Sequence, residues 1–323
     1  MKNIKSYIII TLITLLLSGC GVVTNKLYIQ EANLESNLNS PPLNITKNKT
    51  AGSITVSPSI SINSQKSISG TVMEHTKVNS SNVFQVDSTI AEGSISYKES
   101  GKNVYSYKGN NMHWNLPEAA LGLNVDLALS DQFALTIGAN TYFQNEKSSV
   151  GGHAGIGYFK SDENSGIRLE GGILWQKIYY DISSVLITTY EPFWGDKTTN
   201  VTFMSDKLSK ACLDYYATLT FNSNSKSNFI DFFLSLGFFS QTLLEFEHKN
   251  PDPGYYIFGN MTTYETGKSD DSATILFVNP GLTLILNDNS RINLGAKMHL
   301  INGVSSISNN FLFTPMIQFD MMF

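Results

Sequence analysis

The chain of 323 residues carries a net charge of −5 and only 15% charged residues, well below the usual quarter. That balance speaks against nucleic acid as a partner and for a surface that does not face water everywhere. The length allows one large or two ordinary domains, and the two cysteines, Cys20 and Cys212, allow at most one disulfide.

The chain opens MKNIKSYIIITLITLLLSGC, with Lys2 and Lys5 ahead of an apolar stretch from Tyr7 to Leu17. This is the layout of a secretory signal, and it is too short to span a bilayer comfortably. Leu17-Ser18-Gly19-Cys20 resembles the lipobox of bacterial lipoproteins. The resemblance implies cleavage between Gly19 and Cys20 by lipoprotein-processing enzymes and a diacylglyceryl group on the Cys20 sulfur. It also implies a mature N-terminus starting in the periplasmic leaflet of the membrane. A lipid on Cys20 leaves Cys212 without a disulfide partner, even in a compartment that permits one. The plainer alternative is a signal peptide, residues 1–19, followed by a chance cysteine. No later segment is an apolar run of about eighteen residues, so a mature chain that crosses a membrane must do so with strands.

Residues 20–82 are rich in Asn, Ser, Thr and Lys and contain Pro41-Pro42. Such a composition offers too little apolar surface to offset the entropy of ordering it, which predicts a flexible tether, and the lipobox resemblance implies that this tether is lipidated at Cys20. Two stretches qualify this: Ser53 to Ile62 (SITVSPSISI) and Ser67 to Met73 alternate weakly and are compatible with short strands.

From Val83 onward the chain breaks into segments of about ten to fifteen residues with a period of two, bounded by turn clusters. In Ala120 to Leu129 the residues Leu121, Leu123, Val125, Leu127 and Leu129 share one face, opposite Asn124 and Asp126. The pattern recurs over Phe133 to Phe143, Val150 to Tyr158, Ile167 to Gln176, Ala211 to Asn222, Ile230 to Phe238, Val278 to Asn287, Arg291 to Leu300 and Phe311 to Phe323. The charges Asp126, Arg168, Glu170, Asp214, Asp231, Arg291, Lys297 and Asp320 all fall on the second face, which is otherwise mostly Gly, Asn, Thr, Ser and Ala. A soluble sandwich would carry many Lys and Glu there. A lipid-facing surface must instead exclude charge, since Arg or Lys at the bilayer midplane costs about 2–4 kcal/mol, and closing the sheet removes edges that hydrocarbon cannot satisfy. The prediction is an all-β fold, a transmembrane antiparallel up-and-down β-barrel over residues 83–323, with about ten strands and eight or twelve as alternatives. Its first strand or hairpin is expected between Val83 and Tyr107, with Glu99-Ser100-Gly101-Lys102 as a turn. Short connections after Leu129, Lys160, Asn222 and Leu286 alternate with long ones at about 183–208, 248–272 and 301–310, which places the C-terminus and the short turns on the periplasmic side.

The last segment, FLFTPMIQFDMMF, resembles the C-terminal assembly signal of bacterial outer-membrane β-barrel proteins. The resemblance implies a closing strand read by the barrel-insertion machinery through Phe319 and Phe323, and a place in the bacterial outer membrane. Asp320 departs from the pattern, being charged near the end, and Pro315 suits a bulge or a lipid-facing position.

Chemistry is harder to find. The histidines His75, His113, His153, His248 and His299 have no metal-ligand spacing, and no G-x-S-x-G occurs. The expectation is therefore no catalysis, no metal and no cofactor. The inward charges mix both signs, which reads as a paired network filling a small lumen. The partners expected are the lipid bilayer, the processing enzymes and the insertion machinery, with an unidentified external ligand at loop tips such as Tyr190 to Gly195 and Pro251 to Tyr256. A narrow pore, a membrane-embedded hydrolase using His153 or His299, and a soluble β domain tethered by its lipid stand as alternatives.

Overall fold

The computed structural model describes residues 21–46, 49–71, 83–86, 97–99, 102–106, 111–144, 147–192, 198–224, 229–251, 255–256, 264–302 and 310–323. The signal stretch, Cys20 and His75 lie outside them. In chain order the strands are β1 (Gly21–Glu35), β2 (Ile54–Ile62), β3 (Ser67–Thr71), β4 (Val83–Val86), β5 (Tyr97–Glu99), β6 (Lys102–Ser106), β7 (Asn111–Asn115), β8 (Ala119–Ala128) and β9 (Phe133–Gln144). They continue with β10 (Lys147–Ser161), β11 (Ser165–Pro192), β12 (Thr198–Ser223), β13 (Ile230–Pro251), β14 (Tyr255–Tyr256), β15 (Tyr264–Asn287), β16 (Ser290–Asn302) and β17 (Phe311–Met322).

Ten of these close an antiparallel barrel in the order β2-β8-β9-β10-β11-β12-β13-β15-β16-β17, and β17 pairs back to β2. The alternation sets which face is inside. Asn124, Asp126, Thr136, Arg168, Glu170, Asn279, Gln318 and Asp320 are buried, while Leu121, Leu123, Ile137, Leu169 and Ile317 face out. Ile156, Leu213 and Phe232 keep 62%, 66% and 65% of their surfaces exposed. A water-facing wall of that kind would far exceed the few hundred Å² of apolar patch that soluble monomers usually show.

The first barrel strand is not where the sequence reading put it. Val83 to Tyr107 supplies β4, β5 and β6, which pair with one another in a separate three-stranded sheet. The missing strand is β2, from inside the stretch read as tether. Ile54, Ile60 and Ile62 point outward against inward Thr55 and Ser57, so its weak alternation is the barrel pattern written in small residues. Its Pro58 falls where the ladder to β17 lapses between Gln318↔Ser59 and Met321↔Val56, as a residue without an amide hydrogen requires. Much of the expected long loops is also strand: β11 and β12 stay in register from Ser165↔Ser223 to Tyr190↔Thr198.

The connections predicted as short, after Leu129, Lys160, Asn222 and Leu286, share one end of the barrel with Phe323, the turn end, while β9 and β10 are joined by two residues at the other. At the turn end Asp162 accepts from the backbone amides of Asn164 and Ser165 at 2.8 and 2.7 Å, which holds its carboxyl below the usual range. Toward the opposite, loop end β11 outruns β10. It pairs with β10 as far as Gln176 and then with β1, from Tyr179↔Glu35 to Pro192↔Gly21. β7 pairs in parallel with β1, and β3 with β7. These three strands bring Ala32, Leu34, Ile68, Met112 and Trp114 against Ile178, Ile182, Phe239, Leu243, Ile275 and Leu312, all buried. The loop end thus contains an apolar core inside the wall, which the mostly small and polar inner face of the sequence reading did not foresee.

Candidate functional site

Between β1 and β2 the chain runs through the barrel. Residues 36–46 are buried apart from the partly exposed Ser40 and Pro42, and their hydrogen bonds go to inward side chains around the wall. Nearest the loop end, the Asn39 amide donates to Gln241 Oε1 at 3.2 Å and its side-chain oxygen accepts from Asn140 at 3.1 Å. Lower down, Asn44 donates to Glu170 Oε2 at 3.0 Å and accepts from Asn124 at 2.9 Å. Nearest the turn end, the Thr46 hydroxyl donates to Asn222 Oδ1 at 2.9 Å. The segment then turns at Gly52, whose φ of 85° lies in the left-handed region that suits glycine, and rises as β2. A Cβ on Gly166 would run into Thr46 Oγ1, so the bare backbone of β11 is what leaves room for the passing chain.

The predicted lumen charges do not make one network. Asp126, Arg168 and Glu170 form the first group: Arg168 donates from Nη1 and Nη2 to the two Asp126 oxygens at 2.9 and 2.8 Å and from Nε to Glu170 at 2.7 Å. Lys49 closes an ion pair on Asp126, and Tyr216 donates to Glu170 Oε1 at 2.7 Å. Arg291 and Asp320 form the second, with a 2.8 Å contact from Nε, while Asn293 and Gln318 also donate to Asp320. Arg291 and Gln318 reach the segment too, at the carbonyls of Ile45 and Leu43. Lys297 pairs with no carboxylate in these contacts. It donates to Ser40 Oγ at 2.9 Å and to the Pro41 carbonyl at 2.7 Å. Asp214 stands apart, accepting from Ser240 and Thr242, and Asp231 takes a long 3.4 Å contact from Ser223. Asp320, an awkward residue for an assembly signal, is explained by Arg291.

Sequence reasoning missed Lys49, together with Asn39, Ser40, Asn44 and Thr46. A signal was present: the eight charges assigned to the lumen comprise five acids and three bases, and buried charge needs pairing. Lys49 balances the Asp126, Arg168 and Glu170 group to two cations against two anions.

Among the described residues, the two lumen histidines sit in different surroundings. His153 Nε2 lies 2.8 Å from Asn124 Oδ1. His299 is buried against Phe239 and Phe277, with ring centroids 6.1 and 6.2 Å away. Beside the threaded segment is a cavity of about 80 Å³ whose lining includes Asn37, Ser40, Asn124, His153 and Lys297, enough for a few water molecules and no more.

No protein-family model matches the chain, and a search of the curated proteins finds no match. Among solved structures, the chain is similar to the N-terminal β-barrel domain of Pseudomonas aeruginosa OprF, at 6% identity and a TM-score of 0.29, covering 85% of this chain and 100% of that one. It is similar to the translocator domain of the autotransporter NalP from Neisseria meningitidis, at 9% identity and 0.32, covering 86% and 91%. A deltaS2 mutant of the monoaromatic hydrocarbon channel TodX matches at 7% and 0.26, covering 85% and 90%. The barrel assignment rests on this chain's own strand pairing.

Proposed function

We propose that the protein is a bacterial outer-membrane β-barrel whose lumen is filled by its own chain, and that it serves a structural or surface-binding role with no catalysis. The apolar belt supports membrane insertion, because exposed Leu, Ile and Phe gain about 25 cal/mol per Å² on leaving water, and the short turns at the C-terminal end support a periplasmic C-terminus. In this reading Phe319 and Phe323 meet the insertion machinery and Cys20 carries a lipid. The observation that carries the filled lumen is residues 36–46, buried except at the partly exposed Ser40 and Pro42 and hydrogen-bonded to inward side chains of β8, β9, β11, β12, β13, β16 and β17. His153 and His299 are packing residues here.

The test is made on the protein reconstituted in planar bilayers, after a folded, heat-modifiable band on a mild detergent gel shows that the barrel is intact. The expected result is no stable conductance. A steady single-channel current from the heat-modifiable form would overturn the filled lumen in favour of a pore.

A further inference from the structure

The two ends of the described chain lie at opposite ends of the barrel. At the turn end, Ile54 and Phe323 exchange backbone hydrogen bonds, amide to carbonyl at 3.0 Å one way and 2.8 Å the other. At the loop end, Gly21 is opposite Pro192 on β11 and Tyr256 on β14, beyond the last β10 partner of β11 at Gln176. Only residues 36–53 join the two regions, and their contacts follow the lumen from Gln241 and Asn140 past Glu170 to Asn222. A C-terminus and an N-terminus on the same side of the membrane, as the sequence reading has them, cannot both be kept on this path.

We infer that the N-terminal strand stands on the outward face of the membrane and Phe323 on the periplasmic face, the chain between them being threaded through its own barrel. Any group carried by Cys20, one residue before Gly21, then leaves the molecule on the outward face. A lipid there is an outer-face modification and not a periplasmic anchor. The inference rests on the outer-membrane reading above for the direction. The threading itself rests on strand register and on hydrogen bonds spread along the lumen.

Single cysteines test it, in full-length chain made in cells. Glu31→Cys replaces a side chain on β1 that is 45% exposed, and Asp288→Cys sits in an exposed turn beside Ser290. Both are made with Cys212→Ser, and the parent lacking either new cysteine is the blank for Cys20. A maleimide-polyethylene glycol too large to enter the periplasm reports by a gel shift, and heat modifiability of each variant confirms the folded barrel. Glu31→Cys should shift fully in intact cells, and Asp288→Cys only after the outer membrane is permeabilised. Equal behaviour of the two sites would overturn the threading, and the reverse pattern would overturn the assigned direction. Carbonate extraction of a Cys20→Ala form of the same chain separates these results from a failure of the membrane reading, since a soluble domain without its lipid would leave the membrane and show no heat-modifiable band.

Discussion

Lys49 shows most directly how one side chain ties the threaded segment to the wall. With it, Asp126 and Glu170 face two cations, and without it they share Arg168 alone. Removing one partner from a buried charge group costs about 3–5 kcal/mol, because the charges left behind stay desolvated. Lys49→Met is therefore expected to lower the unfolding free energy, read from the urea titration of the heat-modifiable band, by an amount of that order and so to lower its midpoint, and Lys49→Arg to retain most of it. Lys66 offers the contrast. Its ion pair with Glu118 has side chains 81% and 73% exposed, and such pairs are largely cancelled by solvent screening and side-chain entropy, so Lys66→Met should leave the midpoint where it is. Equal midpoints for Lys49→Met and the parent would sink this account of the lumen. At this scale the sequence was legible where a charge sits on an alternating strand: Arg168 with its two carboxylates, and Arg291 with Asp320, were on the correct face. It was not legible where the partner comes from an irregular segment, since no periodicity marks Ser40, Asn44 or Lys49 as inward.

The strands were readable wherever alternation was strong and failed where side chains were small. The barrel strands from β8 to β17 follow the apolar face closely in their turn-end parts, because the outward positions there must suit the same belt. β2 carries that pattern as Ile54, Val56, Ile60 and Ile62 over serines, in a neighbourhood whose composition suggests disorder. The inference from composition to disorder assumes that ordering must be offset by apolar burial. Residues 36–46 bury Leu38, Leu43 and Ile45 in apolar clusters and add hydrogen bonds to a wall whose own polar groups need partners, so the cost of burying each polar group is met by the other. The β2–β17 pairing also gives the terminal residue a structural reason. Phe323 is 74% exposed, yet its backbone holds Ile54 at the seam where first and last barrel strands meet. Deleting Phe323 removes that pair of hydrogen bonds together with the terminal aromatic. The expected outcome is a smaller fraction of heat-modifiable protein in outer-membrane fractions, with Phe323→Tyr close to the parent. A truncated chain that folds to the parental level would show that β17 closes the seam without its last pair.

Taken as a whole, the molecule has two interiors along one axis. Toward the turn end the lumen is polar and paired, and its outer wall is apolar. Toward the loop end the interior is apolar, built from β1, β3 and β7 against the extended strands, and exposed polar residues such as Ser205, Lys207 and Ser209 appear on the outer face of β12. This change of sense is what a chain passing from hydrocarbon into water requires, since a wall facing water must bury its apolar side chains inward while a wall facing lipid need not. The two regions therefore depend on different forces, and a lesion in one should not abolish the other. Trp114 is the place to test this: it is fully buried among the loop-end apolar residues and donates to Ser36 Oγ at 2.8 Å, well away from the Asp126 group. Trp114→Ala should cost the loop-end core about 3–5 kcal/mol. The expected readout is protease cleavage near β7 and β3 in isolated outer membranes, while the barrel keeps its heat-modifiable band. Loss of that band in Trp114→Ala would mean that the outward core and the lipid-facing barrel fold as one cooperative unit, with the threaded segment transmitting the damage from one interior to the other.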